Sequence, residues 1–587
     1  GYRSLLAMTE IFVEKVVERT KTYSESQLTS SQMFGWKPAI LEDPLHDQDL
    51  LLYCQKLVIL LKYSVQIIEN STPYSIFPIY NCTEIVEKLN KMNLEVFYGK
   101  YYCVQFPESL QRIFNLLQLA LTSYGDAHKS FWGGSMEGGN LEQMVTKTRA
   151  LIGSPKYMIW STSKTKKCAE LMGSKDINFV KSFWNLTETV AIVSVATKMV
   201  SPSPALNFTF TIHCDFPLEQ RASKEGSRQH VSSFPTQIRT KVRLISYEQH
   251  EGQVGSQREY LAAVDSSQVD RDLGPSSEKA GIIHQQIHTV VPEAVETLPV
   301  PEPSPPPSPS RKNPPPMKEQ SRNFSFFDEN SLKEPSDTLI LHIHGGGFVA
   351  QTSKSHLCYL LRYAHKCRCP ILSVDYDLAP EAPFPVALYQ VLSVYCWAIK
   401  NCKLLGWTGE RIGVTGDSAG GNLTISLTLM AIMYNLRVPD FIVPVYPACL
   451  AEEKPSPARL LSAMDPLLSN SILSMCLSHY RREHDLSDPL LSPYRVSKEV
   501  LKKFPQTHIF CGEFDPLLDD SIGFARRLAG YAKERIFLRI IPCLPHGFLN
   551  FYDASSECAG ATEEVLDHLY CCVKQEYPAN MKDIWGQ

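Results

Sequence analysis

From residue 336 onward the chain repeats one pattern, a short apolar run followed by a helical one. TLILHIH, CPILSVDY, RIGVTG, FIVPVYPA, QTHIFCGEF and IFLRIIP are the apolar runs. Between and after them lie a helix near 354 to 366, VALYQVLSVYCWAIK, the residues after Ser418, SIGFARRLAGYA and a last helix near 560 to 575. Strands alternating with helices predict an α/β fold with a mostly parallel central sheet covered on both faces. Reactive groups in such a sheet belong at the carboxyl ends of its strands.

At 587 residues the chain is too long for one ordinary core. Residues 1 to about 210 show helical spacing, with apolar residues three or four apart in EIVEKLNKMNLEVF, SLQRIFNLLQLALTSYG and INFVKSFWNLTETVAIVSVATKMV. TKVRLISYEQ then alternates as a strand does, with Val242, Leu244 and Ser246 on one side. Between about 252 and 335, VPEPSPPPSPSRKNPPPMK holds too much proline for a helix or a central strand and reads as a linker. The expected organisation is a helical N-terminal domain over 1–235, the first strand or strands of the sheet plus the proline-rich linker over 236–335, and an α/β domain over 336–587 with a cap insertion near 450–495.

Charge names no partner: 58 Lys+Arg against 62 Asp+Glu leave a formal net charge of -4, too balanced for nucleic acid or a polybasic membrane tether. The 17 cysteines lack the paired C-x-x-C spacing of a zinc site or redox dithiol, and a reducing cytosol is the simpler reading. The sequons Asn81-Cys82-Thr83, Asn185-Leu186-Thr187 and Asn422-Leu423-Thr424 are read as chance, the last falling inside an expected buried helix. The first residue is Gly1 with no charged-then-apolar leader after it, so the natural N-terminus is expected to be missing. LLLYCQKLVILLKYSVQII, broken by Gln55, Lys56 and Lys62, falls short of the roughly 20 apolar residues of a membrane span and reads as a core helix.

RIGVTGDSAGGNLTIS, residues 411 to 426, crowds Gly416, Gly420 and Gly421 around Ser418 where a strand gives way to a helix. Such glycines tolerate unusual dihedrals and close contacts, so the serine is lifted above the sheet edge beside a helix N-terminus. A chance G-x-S-x-G in a chain of this composition is on the order of one in ten. A tight turn with a capping serine is the alternative.

The rest of the constellation favours chemistry. A nucleophilic serine needs a base, an orienter for that base, and donors for an oxyanion. His546 in CLPHGFLNF, following the strand IFLRIIP, is the base candidate among 16 histidines. Asp515 in CGEFDPLLDD is the orienter candidate, with Glu513 its nearest rival and Asp519 or Asp520 better suited to capping a helix. HIHGGGFVA supplies Gly346 and Gly347, whose N–H groups with that of Ala419 are expected to form a three-donor pocket. No metal or organic cofactor is called for. Segment 450–495 and part of the helical half are expected to cover the pocket, with Met464, Leu467 and Leu468 in its wall.

Taken together, HGGG at 344–347, YDLAPEAPFP at 376–385, GDSAGG at 416–421, DPLLDD and LPHGF resemble the hormone-sensitive lipase family of α/β-hydrolases. FVAQTSKSH, YCWAIKNC, SPARLLSAMDPLL, GYRSL, FWNLTE and VRLISYEQHEGQ are similar to its animal members. The resemblance implies hydrolysis of diacylglycerol and monoacylglycerol, with triacylglycerol, cholesteryl and retinyl esters also accepted. It implies a cytosolic homodimer that visits lipid droplets, with Ser418, Asp515 and His546 as triad and Gly346, Gly347 and Ala419 as oxyanion hole. The phosphorylated insertion of mammalian members between the sixth and seventh strands is not in this sequence, which either lacks it or omits it, and no R-R-x-S occurs there. Ser304, Ser308, Ser310 and the weak R-x-x-S from Arg322 to Ser325 are the alternative candidates for a phosphorylated regulatory site. The competing readings are a short-chain carboxylesterase and a non-catalytic scaffold that keeps the fold.

Overall fold

The computed structural model describes residues 48–71, 77–78, 82–132, 162–189, 200–216, 237–263, 332–532 and 535–576. Of the expected linker, residues 264–331, with its proline-rich run and the serines named with it, lie outside the described residues, as does Asn81. Among the described residues eight strands form one sheet: β1 Leu206–Asp215, β2 Gln237–Ser246, β3 Ser336–Ile343, β4 Ile371–Asp375, β5 Trp407–Asp417, β6 Phe441–Val445, β7 Gln506–Gly512 and β8 Ile536–Ile541. Their order is β1-β2-β4-β3-β5-β6-β7-β8. β2 runs antiparallel to β1 and β4, and every later pair is parallel. The alternation of strand and helix thus gives the mostly parallel sheet expected of it.

The N-terminal half supplies helices α1 Gln48–Glu69, α2 Thr83–Asn90, α3 Glu108–Trp132, α4 Thr162–Met172, α5 Ile177–Trp184 and the short α6 Leu186–Thr189. The sheet is covered by α7 Leu357–Cys367, α8 Val386–Lys400, α9 Ala419–Met433, α13 Leu518–Ala532 and α14 Ser556–Lys574. Between β6 and β7 lie α10 Pro457–Leu461, α11 Asn470–Arg481 and α12 Lys498–Leu501. α9 is buried from Ala419 to Ile432 because the sheet lies along one side and α8 along another. That explains why its sequence is apolar all round rather than on one stripe.

Two expectations need correction. The stretch read as helical to about 210 ends in β1, and the first strand of the sheet is β1, not β2. Leu206, Phe210 and Ile212 of β1 are buried while Asn207 and His213 are exposed, a period of two. α1 is a core helix on one face only: Tyr53, Leu57, Leu60 and Ile67 are buried, whereas Leu51, Leu52, Val58, Ile59 and Val65 are exposed. By length and composition alone, its window Leu51–Glu69 is long and apolar enough to cross a membrane.

The insertion between β6 and β7 is pinned to the sheet by the two aspartates at the start of α13. Asp519 Oδ2 accepts the Ala458 N–H at 2.7 Å. Asp520 accepts the Leu450 N–H at 2.9 Å and both oxygens take the Arg459 guanidinium at 3.0 and 3.1 Å. Burial pushes the Asp520 carboxyl up to about 6 in spite of Arg459, so desolvation outweighs the attraction. Arg459→Ala should therefore lower the urea unfolding midpoint by the equivalent of about 3 to 5 kcal/mol near pH 8, where Asp520 must either stay charged without its counter-charge or take up a proton. The deficit should shrink at pH 5, where protonation of Asp520 removes the buried charge. Equal deficits at both pH values would show that the loss does not come from that charge.

Candidate active site

Ser418 sits between the end of β5 and the first residue of α9, with φ 56° and ψ −116°. A side chain held at positive φ stores about 1–3 kcal/mol, tolerated only where the surroundings fix it. The fixing contacts are Ser418 N–H to Val445 O at 3.0 Å and Asn422 N–H to Ser418 O at 3.1 Å. The flanking glycines serve space rather than dihedral freedom. A Cβ on Gly420 would stand 2.0 Å from Ile343 O, and one on Gly416 2.6 Å from the same oxygen. The serine itself takes the unusual dihedral.

The other two triad candidates converge on it. His546 Nε2 lies 2.9 Å from Ser418 Oγ, and His546 Nδ1 lies 2.9 Å from Asp515 Oδ2. Asp515 is fixed by its second oxygen, which accepts the Leu517 N–H at 2.7 Å. With the Nδ1 proton donated to the carboxylate, Nε2 presents a lone pair to the serine hydroxyl. Burial disfavours the imidazolium, but the Asp515 carboxylate and its hydrogen bond prevail and raise the His546 pKa above the usual histidine value. Glu513 is placed elsewhere, its carboxylate accepting the Cys543 N–H at 3.2 Å.

The glycine run after β3 curls over this row. Gly346 has φ 101° and Gly347 φ 60°, and a Cβ on Gly346 would meet Ala350 O at 2.1 Å. Gly346, Gly347 and Ala419 all border the same cavity as Ser418. Among the described residues, no acceptor is paired with their N–H groups. Three amide hydrogens are thereby left for an oxyanion.

Asp417, a residue the sequence reading passed over, ties the two loops together. Its Oδ1 accepts the Gly345 N–H and the Tyr359 hydroxyl, each at 3.0 Å, and lies 3.3 Å from His356 Nε2. Burial would raise its pKa, but His356, His342 and Tyr359 together hold it well below the usual carboxylate range. The signal available in the sequence was its position next to Ser418. YDLAPEAPFP supports the same loop from the other side: Tyr376 O–H donates to His344 O at 2.9 Å and Ala379 N–H to Phe348 O at 2.9 Å.

The cavity above Ser418 holds about 310 Å³ and is largely apolar. Leu467 and Leu468 line it as expected, with Leu117, Phe183, Trp184 and Leu186 of the N-terminal half. Met464 does not. It faces away into the helical half, where its Sδ accepts the Tyr53 hydroxyl at 3.1 Å and its carbonyl accepts Gln105 Nε2 at 3.1 Å. Among the described residues no group of three or more His, Cys, Asp or Glu side chains is arranged to hold a metal ion. A hydroxyl poised on an imidazole, beside unpaired amide donors and an apolar cavity, can attack a carbonyl and stabilise the tetrahedral adduct.

Two family profiles match the chain. One described as alpha/beta hydrolase fold covers residues 340–550, and one described as Hormone-sensitive lipase (HSL) N-terminus covers residues 1–254. Hormone-sensitive lipase of Ictidomys tridecemlineatus is 34% identical over 67% of this chain and 44% of its own length. The Homo sapiens protein of that name is 30% identical over 83% of this chain and 40% of its own length. An arylesterase of Saccharolobus solfataricus is 30% identical over 36% of this chain and 68% of its own length. The matched segments thus span less than half of the lipase relatives and about two thirds of the arylesterase. With its N-terminal half and its α/β half each matched, the chain belongs to the hormone-sensitive lipase family of α/β-hydrolases.

Proposed function

We propose that this protein hydrolyses carboxylic esters of lipids through an acyl-enzyme. The observation that carries the reading is the hydrogen-bonded row Ser418–His546–Asp515 opening into an apolar cavity. His546 takes the Ser418 proton while Asp515 holds the ring, and Ser418 Oγ bonds to the ester carbonyl carbon. Gly346, Gly347 and Ala419 N–H groups receive the oxyanion. Its collapse breaks the ester C–O bond, and His546 protonates the departing alcohol. Water, deprotonated by His546, then attacks the acyl-enzyme and releases the fatty acid.

Diacylglycerol and monoacylglycerol are the proposed main substrates, with triacylglycerol, cholesteryl and retinyl esters as further ones. The apolar lining of the cavity and the names of the lipase relatives support this. Action in the cytosol at lipid droplet surfaces, as a homodimer, belongs to the same proposal and rests on family resemblance.

Ser418→Ala should abolish labelling by a fluorophosphonate and lower turnover by about 10⁶-fold. Unlabelled wild-type protein would favour the scaffold reading. Across p-nitrophenyl esters of rising chain length, activity should extend to long acyl chains and to diacylglycerol emulsion. A maximum at two to four carbons with no action on diacylglycerol would replace the lipid reading with that of a short-chain carboxylesterase.

The base must be neutral to act, so activity should fall as pH drops through the His546 pKa. Because that pKa is raised, the acid limb of kcat/KM should have its midpoint above the ordinary histidine value of about 6.5. Asp515→Asn should move the limb to lower pH and cut kcat by about 10⁴-fold. A limb left in place by that substitution would separate Asp515 from the titrating base.

A further inference from the structure

We infer that Trp184–Glu188, at the end of the helical half, is a positioning element for the oxyanion loop, holding its downstream limb as Asp417 holds its upstream end. This deepens the serine-hydrolase reading above and rests on it. The segment lies within FWNLTE, whose resemblance to the animal family members the triad does not explain.

The loop needs such a grip. Besides Gly346 and Gly347, two residues with side chains hold positive φ there, Phe348 at 64° and Gln351 at 70°. A run of such residues persists only where the surroundings over-determine it. From within the α/β half, Gly345 is tied to Asp417, and Phe348 stacks on Tyr480 with ring centroids 3.7 Å apart.

The downstream limb is held from the N-terminal half. Gln351 N–H donates to Asn185 Oδ1 at 2.7 Å, Thr352 O–H to Glu188 Oε1 at 2.9 Å, and Lys354 Nζ to Glu188 O at 2.7 Å. Trp184 closes the face of the loop: its Cζ3 is 3.2 Å from where a Cβ on Gly347 would stand. One turn upstream, Lys181 Nζ donates to Glu381 at 2.8 Å within the YDLAPEAPFP segment that supports the loop. Three residues of this five-residue segment, Trp184, Asn185 and Glu188, therefore reach the loop and the turn after it at four places, Gly347, Gln351, Thr352 and Lys354, from more than 160 positions away in the chain.

Asn185 does not line the cavity, so its effect must pass through the backbone of the loop. Oxyanion donors act over a narrow range of position, and a displacement of about 1 Å costs up to about 10²-fold in rate. Asn185→Leu, similar in size without the acceptor, should lower kcat on p-nitrophenyl butyrate by about 10- to 100-fold with KM changed less than about twofold. The inhibition constant of a trifluoromethyl ketone, a mimic of the tetrahedral adduct, should rise in parallel. Asn185→Asp keeps an oxygen for the Gln351 N–H and should recover most of the loss. Thr352→Val, which removes the donor to Glu188 from the loop side, should shift kcat in the same direction.

Hydrogen–deuterium exchange over residues 345–352 reads the clamp without turnover and should be faster in Asn185→Leu. Unchanged exchange, a kcat equal to wild type, or an Asn185→Asp variant no better than Asn185→Leu would overturn the inference. Were wild type to turn over no ester, faster exchange in the variant would still sustain the clamp. Only the hydrolase reading would then fall.

Discussion

The arrangement of the site depends on how closely α9 presses against the end of β3. Gly420 lies so near Ile343 O that no side chain fits between them. That approach brings the first turn of α9, with its unsatisfied N–H groups, level with the glycine run leaving β3. Ser418 must then turn from strand to helix within one residue and absorbs the strain as a positive φ. A bulkier residue at 420 would separate the two loops, and the amide donors of one would no longer face the hydroxyl of the other.

The same closeness creates an electrostatic problem, because a buried carboxylate at Asp417 lies beside the position where an oxyanion is proposed to form. Its depressed pKa keeps it ionised, while His356, opposed by burial but favoured by Asp417, has a raised pKa. Both directions favour the charged form of the His356–Asp417 pair, and the Gly345 N–H lies within reach of both partners, 3.0 Å from Asp417 Oδ1 and 3.1 Å from His356 Nε2. Pairing cancels much of the field that Asp417 would otherwise project at the oxyanion. The carboxylate can then order the loop without opposing the chemistry.

The α/β half was legible because its two periodicities differ sharply and each motif falls at a strand end. Ser418, Asp515 and His546 could be named from residue type, the glycines around Ser418 and loop position together, since a parallel sheet collects the carboxyl ends of its strands on one edge. β1 was missed although LNFTFTIHCD alternates, because the helical spacing before it was carried forward past Ser201 and Pro204. Met464 was misassigned because one turn of the insertion points inward and the next toward the helical half. Apolarity does not tell those two directions apart. Asp417 and Asn185 were not foreseen because both work through loop backbone brought to them by tertiary contacts, a relation with no periodic trace in the chain.

The cavity belongs to neither half alone. Its floor is the serine turn and the glycine loop, while α3, α5 and α6 supply much of the opposite wall. The junction is held by polar bonds as well as apolar packing: Gln105 to the Met464 carbonyl, Ser469 O–H to Met172 O at 2.7 Å, and Ser109 O–H to Glu557 at 2.6 Å. Residues 462–469 are thus tied to the helical half and, through Arg459 and Asp520, to the sheet. An acyl chain in this cavity would touch both halves at once, so a change in how they meet alters the cavity shape while leaving Ser418, His546 and Asp515 in place. Substrate range can therefore vary by substitutions at the junction while the hydrogen-bonded row stays fixed, and the N-terminal half is part of the proposed specificity apparatus.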